Sequence, residues 1–244
     1  MLKFSPGSDN VKLVKLQKLT GKRVYSFSLL SGYTCPGAHD CRSFAVEKDG
    51  KRTIMDGPHT KFRCFSASQE ALYTNVYHQR KQNFVDLSSM RHDEGAMTLY
   101  IGASLPKRAE IVRVHVAGDF FSSEYFRAWM NVAKSRPDIL FYAYTKSLRY
   151  WMENKDKVPR NFMLTASKGG RYDNLITEHK LRYAVVVPYS EDAKKLRLQV
   201  DTDDSHAALP EHKRRSFALV VHGTQPAGTV YAKSVARQRH GEIV

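Results

Sequence analysis

Strand-forming runs recur along this chain, each closed by polar residues and followed by helix-length sequence, and that alternation limits the fold more than any other feature. Val24 to Leu30 alternates and is rich in β-formers. Ile111 to Ala117 is a second run, ending at Gly118-Asp119. Ser122 or Ser123 can cap a helix from Glu124 to Ser135, with Tyr125, Trp129, Val132 and Ala133 on one face. The strand Ile139 to Thr145 follows, then amphipathic Leu148 to Asn154 and the strand Phe162 to Ala166. Tyr183 to Val187 is apolar on both faces, as a buried parallel strand should be. Ser190 opens a short helix, and Ala218 to Val221 is the last strand. About six strands separated by helices or helix-length spacers predict an α/β protein with a parallel sheet. Six such units in 244 residues leave a parallel β/α barrel incomplete, because a full eight-unit barrel usually takes about 250.

No repeat, low-complexity tract or linker divides the chain, so one domain over residues 1–244 is expected. It reads as a cysteine-loop region (31–68), β/α units (69–225) and a basic C-terminal tail (226–244). Lys48 to His59 and Val200 to Arg215 are polar stretches within it. Hydrophobic residues at 42% and aromatics at 11% sustain a core and exclude global disorder. The longest aliphatic runs, Ala184 to Val187 and Phe217 to Val221, are far short of the ~20 residues a membrane span needs. The start, Met1-Leu2-Lys3-Phe4, has no apolar signal core, so a cytoplasmic location is expected.

Three cysteines, Cys35, Cys41 and Cys64, cannot all pair off as disulfides, which suits a reducing compartment. Cys35-Pro36-Gly37-Ala38-His39-Asp40-Cys41 is a tight turn with a thiol at each end, just after the first strand. Cys64 precedes a helical pattern from about Gln69 to Leu87, and Arg63 with a helix N-terminus should lower its thiol pKa. Burial as small hydrophobes is the plain alternative for such thiols. A structural zinc site would need His39 or His59 as fourth ligand, but C-x5-C and C-x22-C differ from the usual zinc knuckle. Three thiolates also suffice for a [4Fe-4S] cluster with one iron left to a non-cysteine ligand. His39, Asp40, His115 and Asp119 are the candidates, the last two favoured because period two places His115, Ala117 and Asp119 on one face. The plain readings are that His115 is a core histidine, that Asp119 caps the next helix, and that Lys146 is a solvated lysine rather than an anion contact.

Taken in order, Cys35-Pro36-Gly37-Ala38 with Cys41, Arg63-Cys64-Phe65, Arg113-Val114-His115 with Ala117-Gly118-Asp119-Phe120, and Tyr144-Thr145-Lys146-Ser147 resemble the "gene product eighty-eight" family of phage and plasmid proteins. That family looks related to radical S-adenosylmethionine (SAM) enzymes, which hold a [4Fe-4S] cluster in the loop after the first strand of a partial barrel. The resemblance implies Cys35, Cys41 and Cys64 as cluster ligands, with His115, Gly118, Asp119 and Lys146 around the cofactor pocket. It implies an iron–sulfur protein with a redox or radical SAM-like role, acting on a substrate or redox partner in the host cytoplasm. The spacing differs from the C-x3-C-x2-C loop of radical SAM enzymes, and the tail from His222 to Ile243 lacks the cysteines many relatives carry there.

A net charge of +15 raises a second possibility, a basic nucleic-acid-associated protein with a structural zinc. No helix-turn-helix, zinc-finger or RNA-recognition signature is present. Any contact with nucleic acid is therefore expected to be weak, salt-sensitive and indifferent to sequence.

Overall fold

The structure is a computed structural model and describes residues 1–239. Six strands run parallel and lie side by side in chain order: β2 (Val24–Phe27), β5 (Ile111–Val114), β6 (Leu140–Thr145), β7 (Phe162–Ser167), β8 (Tyr183–Val187) and β10 (Phe217–Val220). The expected alternation is thus present, but the sheet is larger and mixed. β1 (Ser5–Pro6) adds an antiparallel edge to β2, and β9 (Gln199–Val200) adds a parallel edge to β10, giving eight strands. β3 (Ser43–Lys48) and β4 (Lys51–Asp56) form a separate antiparallel hairpin, its second strand lying within the polar stretch Lys48 to His59 and its first ending where that stretch begins. Asp49 and Gly50 make that turn at φ 50° and 72°, the left-handed backbone a two-residue hairpin requires.

Period two sorts the strand residues onto two apolar faces. Val112, Val114, Phe141, Ala143, Phe162 and Leu164 point one way, against α4 (Glu94–Ser104) and α5 (Ser123–Ser135). From α5, Tyr125, Phe126, Trp129, Val132 and Ala133 are all fully buried there. Each large side chain buried this way contributes roughly 1.5–3 kcal/mol relative to exposure. Ser122 caps α5 by accepting the Tyr125 amide hydrogen at 3.1 Å. Ile111, Tyr142, Met163, Ala184 and Phe217 point the other way, against Leu13 and Leu16 of α1 (Val11–Thr20) and Ala207 and Ala208 of α9 (Ser205–Ala208).

A buried polar knot ties that second face to the segment before α9. Asp204, fully buried, accepts from Arg113 Nη1 at 2.6 Å, Tyr142 Oη at 2.9 Å and Tyr144 Oη at 3.2 Å. Lys12 Nζ lies 3.5 Å from the same carboxylate. Arg113, Lys12 and these hydroxyls hold Asp204 below the ordinary aspartate pKa, although burial alone would raise it.

The single helix expected from Gln69 to Leu87 is two, α2 (Phe65–Leu72) and α3 (Thr74–Ser88), parted at Tyr73, whose backbone is extended. The remaining helices are α6 (Leu148–Glu153), α7 (Asn174–Glu178), α8 (Ser190–Lys195) and α10 (Val230–Arg239). Residues 240–244 of the expected basic tail lie outside the described residues. Among the described residues no helix is long and apolar enough to cross a membrane.

Candidate metal centre

The carboxyl-terminal ends of β5, β6, β7, β8 and β10 surround a cavity of about 180 Å³. Cys35, Cys41, Cys64, His115, Gly118, Asp119 and Lys146 all line it; His39, Asp40 and His59 do not. A larger cavity of about 690 Å³ adjoins it through Arg113, Tyr144, Leu219, Val220 and His222, which face both.

Close backbone approaches and buried polar groups fix the cysteine loop. A Cβ on Gly37 would meet Lys146 O at 2.0 Å, so only glycine lets the loop lie on the β6 terminus. The Gly37 carbonyl accepts the Arg171 amide hydrogen at 2.9 Å, and Asp40 N donates to Gly169 O at 2.9 Å. Gly118, at φ 83°, lies so near that a Cβ would meet Thr34 Oγ1 at 2.5 Å. Thr34 Oγ1 in turn accepts the Asp119 amide hydrogen at 3.3 Å. The Cys64 segment is joined to the loop because Lys61 N and Phe62 N donate to Asp40 O, and Lys61 Nζ pairs with the Asp40 carboxylate at 3.0 Å. Gln225 holds Arg63 from the far end of the chain, accepting from its N at 2.8 Å and donating to its O at 3.0 Å.

All three thiols are pushed to high pKa, and burial is the largest cause in each. Cys35 is further raised by Asp119, Cys64 and Cys41, while the Lys146 ammonium pulls Cys41 back. Cys64 is raised to about 11 although it starts α2 and the nearby Ser66 and Ala67 amides favour its thiolate. The expectation of a lowered Cys64 pKa therefore fails, for two reasons. Burial outweighs the helix terminus, and Arg63 is turned away, with Nη2 2.5 Å from Asp56 Oδ2.

Asp119 is a clasp rather than a helix cap. Its Oδ1 accepts from Thr145 Oγ1 at 2.7 Å and Phe120 N at 2.8 Å, and its Oδ2 accepts from Lys146 N at 2.8 Å. Burial still lifts its pKa to about 6. Lys146 is neither solvated nor free: its ammonium donates to Ser167 O, Ser167 Oγ and Lys168 O at 2.7–2.9 Å. His115 does not continue the strand alternation, because β5 ends at Val114 and His115 takes φ 66°. Its Nε2 lies 2.9 Å from Tyr125 Oη, with Phe120 edge-on. Burial holds it neutral, with a pKa lowered to about 3, and its Nδ1 is buried without a partner.

Sequence reasoning marks Thr34 only as a polar residue at a strand end and misses Gln225, because a glutamine in a Gly-Thr-Gln-Pro turn is an ordinary surface residue until the chain closes on it.

Among the described residues no group of three or more His, Cys, Asp and Glu side chains has the spacing to hold a metal ion. A single zinc needs its donors to converge within about 2.0–2.3 Å of one point. A [4Fe-4S] cluster instead takes each thiolate on a different iron, so its ligands stand around a space. Three thiols around one cavity fit the second requirement, and a bound cation would reverse their reluctance to ionise.

The Gene product 88 family model matches residues 3–242. The Gene 88 protein of Mycobacterium phage L5 is 45% identical over 40 residues, 16% of this chain and 17% of that protein. No solved structure matches. With nearly its whole length matched, the chain belongs to the Gene product 88 family.

Proposed function

We propose that Cys35, Cys41 and Cys64 hold one [4Fe-4S] cluster, in a redox or radical SAM-like role in a phage context. The observation that carries this reading is that all three cysteines, from two separate segments, line one cavity at the carboxyl-terminal ends of the parallel strands. Ligands collect at that end in parallel α/β sheets. On this reading the six parallel strands in chain order are an incomplete, radical SAM-like barrel, and the adjoining 690 Å³ cavity has room for SAM or a substrate.

When bound, the cluster would supply one-electron chemistry and one iron free of cysteine. This chain's residues then have separable roles. The three thiolates carry the metal. Thr145 and the Lys146 amide orient the Asp119 carboxylate beside Cys35, and neutral His115 offers a nitrogen lone pair or N–H from behind. Gly37 and Gly118 let the backbone come close enough to place them.

The second reading, a structural zinc in a nucleic-acid-associated protein, has less support. His39 and His59 stack on each other at 4.6 Å, and neither lines the cavity. Anaerobic purification followed by iron, zinc and acid-labile sulfide analysis tests both. The iron–sulfur reading expects about four irons and four sulfides per chain, lost in Cys35→Ser, Cys41→Ser and Cys64→Ser alike. A colourless protein with one zinc and no sulfide favours the second reading and ends the first.

A further inference from the structure

Six stretches of chain lead into the amino-terminal ends of the parallel strands, and every one brings exposed cations. Lys22 and Arg23 precede β2, Lys107 and Arg108 precede β5, and Lys134 closes α5 ahead of β6. Arg160 precedes β7, Lys180 precedes β8, and Lys213, Arg214 and Arg215 precede β10; all ten are exposed. Hydrogen bonds set these stretches side by side in strand order. Glu110 N donates to Arg23 O, Leu140 N to Glu110 O, Phe141 N to Asn161 O, and Ala166 N to Arg182 O. Tyr183 N donates to Ser216 Oγ at 3.0 Å.

The same stretches hold five acids, Glu110, Asp138, Asp156, Glu178 and Glu211; Asp156 sits between exposed Lys155 and Lys157, and two of the five are already engaged. Glu110 accepts from Arg23 N, and Asp138 is paired with Arg136. At the opposite end of the sheet Lys168 and Arg171 are exposed after β7, but the cations nearest the cysteines are engaged. There Lys61 is paired with Asp40, Arg63 with Asp56, and the Lys146 ammonium is spent on Ser167 and Lys168. Compensation of helix dipoles explains cations in a last helical turn, such as Lys134, but the effect fades beyond that turn. Lys107, Arg108, Arg160 and Lys213 to Arg215 lie past it.

We propose that this rim is a nucleic-acid-binding surface that grips the phosphate backbone of a duplex without reading its sequence. Six strands at about 4.8 Å spacing spread the cations over roughly 24 Å, the length of about seven base pairs at 3.4 Å each. None of the six stretches contains Phe, Tyr or Trp, so the rim offers no stacking platform of the kind that single strands use. The surface lies at the far end of the sheet from the cysteine cavity and does not depend on whether metal binds there.

Fluorescence anisotropy with a labelled duplex of arbitrary sequence tests it across a salt series. Binding that neutralises about five phosphates gives a slope of log K against log salt near −4.5. Lys107→Glu, Arg108→Glu, Lys213→Glu and Arg214→Glu combined should weaken binding by about tenfold or more, and Lys48→Glu with Lys51→Glu on the exposed hairpin tip should not. Circular dichroism confirms that the variants are folded. Equal losses in both variants, no duplex binding at low salt, tighter binding to the matching single strand, or preference for phosphatidylserine vesicles over the duplex would each overturn the proposal.

Discussion

Replacing Gly37 with alanine puts one methyl group where the structure has backbone. The new Cβ would lie 2.0 Å from Lys146 O, 2.5 Å from Lys146 C and 3.2 Å from Ser147 N. Real Cβ contacts essentially never fall under 3.0 Å, so one side must retreat by about 1 Å. Lys146 and Ser147 are poorly able to do so. Asp119 holds the Lys146 amide, the Lys146 ammonium is anchored on β7, Thr145 Oγ1 accepts from Ser147 N, and Ser147 Oγ donates to Phe120 O. The turn from Cys35 to Cys41 moves instead, shifting two thiols relative to Cys64. Overpacking of this kind costs about 1–3 kcal/mol, and a clash of backbone on backbone belongs at the upper end. Urea unfolding of the metal-free protein reads the stability term, and iron content after anaerobic reconstitution reads the displacement. Gly102→Ala is the control, because nothing lies within 4 Å of its Cβ and an interior helical alanine adds stability. Stability within about 0.5 kcal/mol of the parent, together with full iron loading, would refute the reasoning.

Two further outcomes follow from buried polar groups. Asp204→Ala leaves Arg113 buried with its Asp204 pairing removed and should cost about 3–5 kcal/mol in urea unfolding; a cost below about 1 kcal/mol would show that solvent reaches the knot. His115 has a folded pKa of about 3 against the ordinary 6.5, so the unfolded chain takes up a proton first as pH falls. Stability from this group is complete above pH 6.5 and drains away towards pH 3, by up to about 1.4 kcal/mol per pH unit. Asn tolerates the left-handed backbone at this position, so unfolding of His115→Asn at a series of pH values should show a shallower loss over that window. An unchanged slope would mean that His115 is protonated in the folded protein.

The parallel framework was legible because each buried strand is a short apolar run stopped by polar residues, and period recognises it without tertiary information. Tyr183 to Val187 was placed to the residue for that reason. The hairpin at Ser43 to Asp56 was not, since its outward residues are charged and its pairing is local, so composition resembled a loop. The two short edge strands carry too few residues for any period. At the site, the turn Cys35-Pro36-Gly37-Ala38 and the Gly118-Asp119 bend are visible because Pro and Gly constrain the backbone directly. The direction of His115 was not, because alternation assumes the strand continues, and a single left-handed residue ends it. The Asp204 knot depends on strand register and on a segment more than sixty residues further along, information that no local window contains.

The order in which the chain emerges from a ribosome gives the cavity a history. Its three thiols are made within the first third of the sequence, whereas Leu219, Val220, Val221 and His222, which wall it in, arrive with the last strand, and Gln225 follows. Contacts this distant in sequence form late. Until they form, a nascent or truncated chain presents the cysteines to solvent beside an unpaired β8 edge. The finished protein holds the same thiols half-buried along the cavity wall. On the cluster-binding reading, loading from a donor would be easiest before synthesis ends, and a stall after β8 leaves exposed thiols next to an unpaired strand edge.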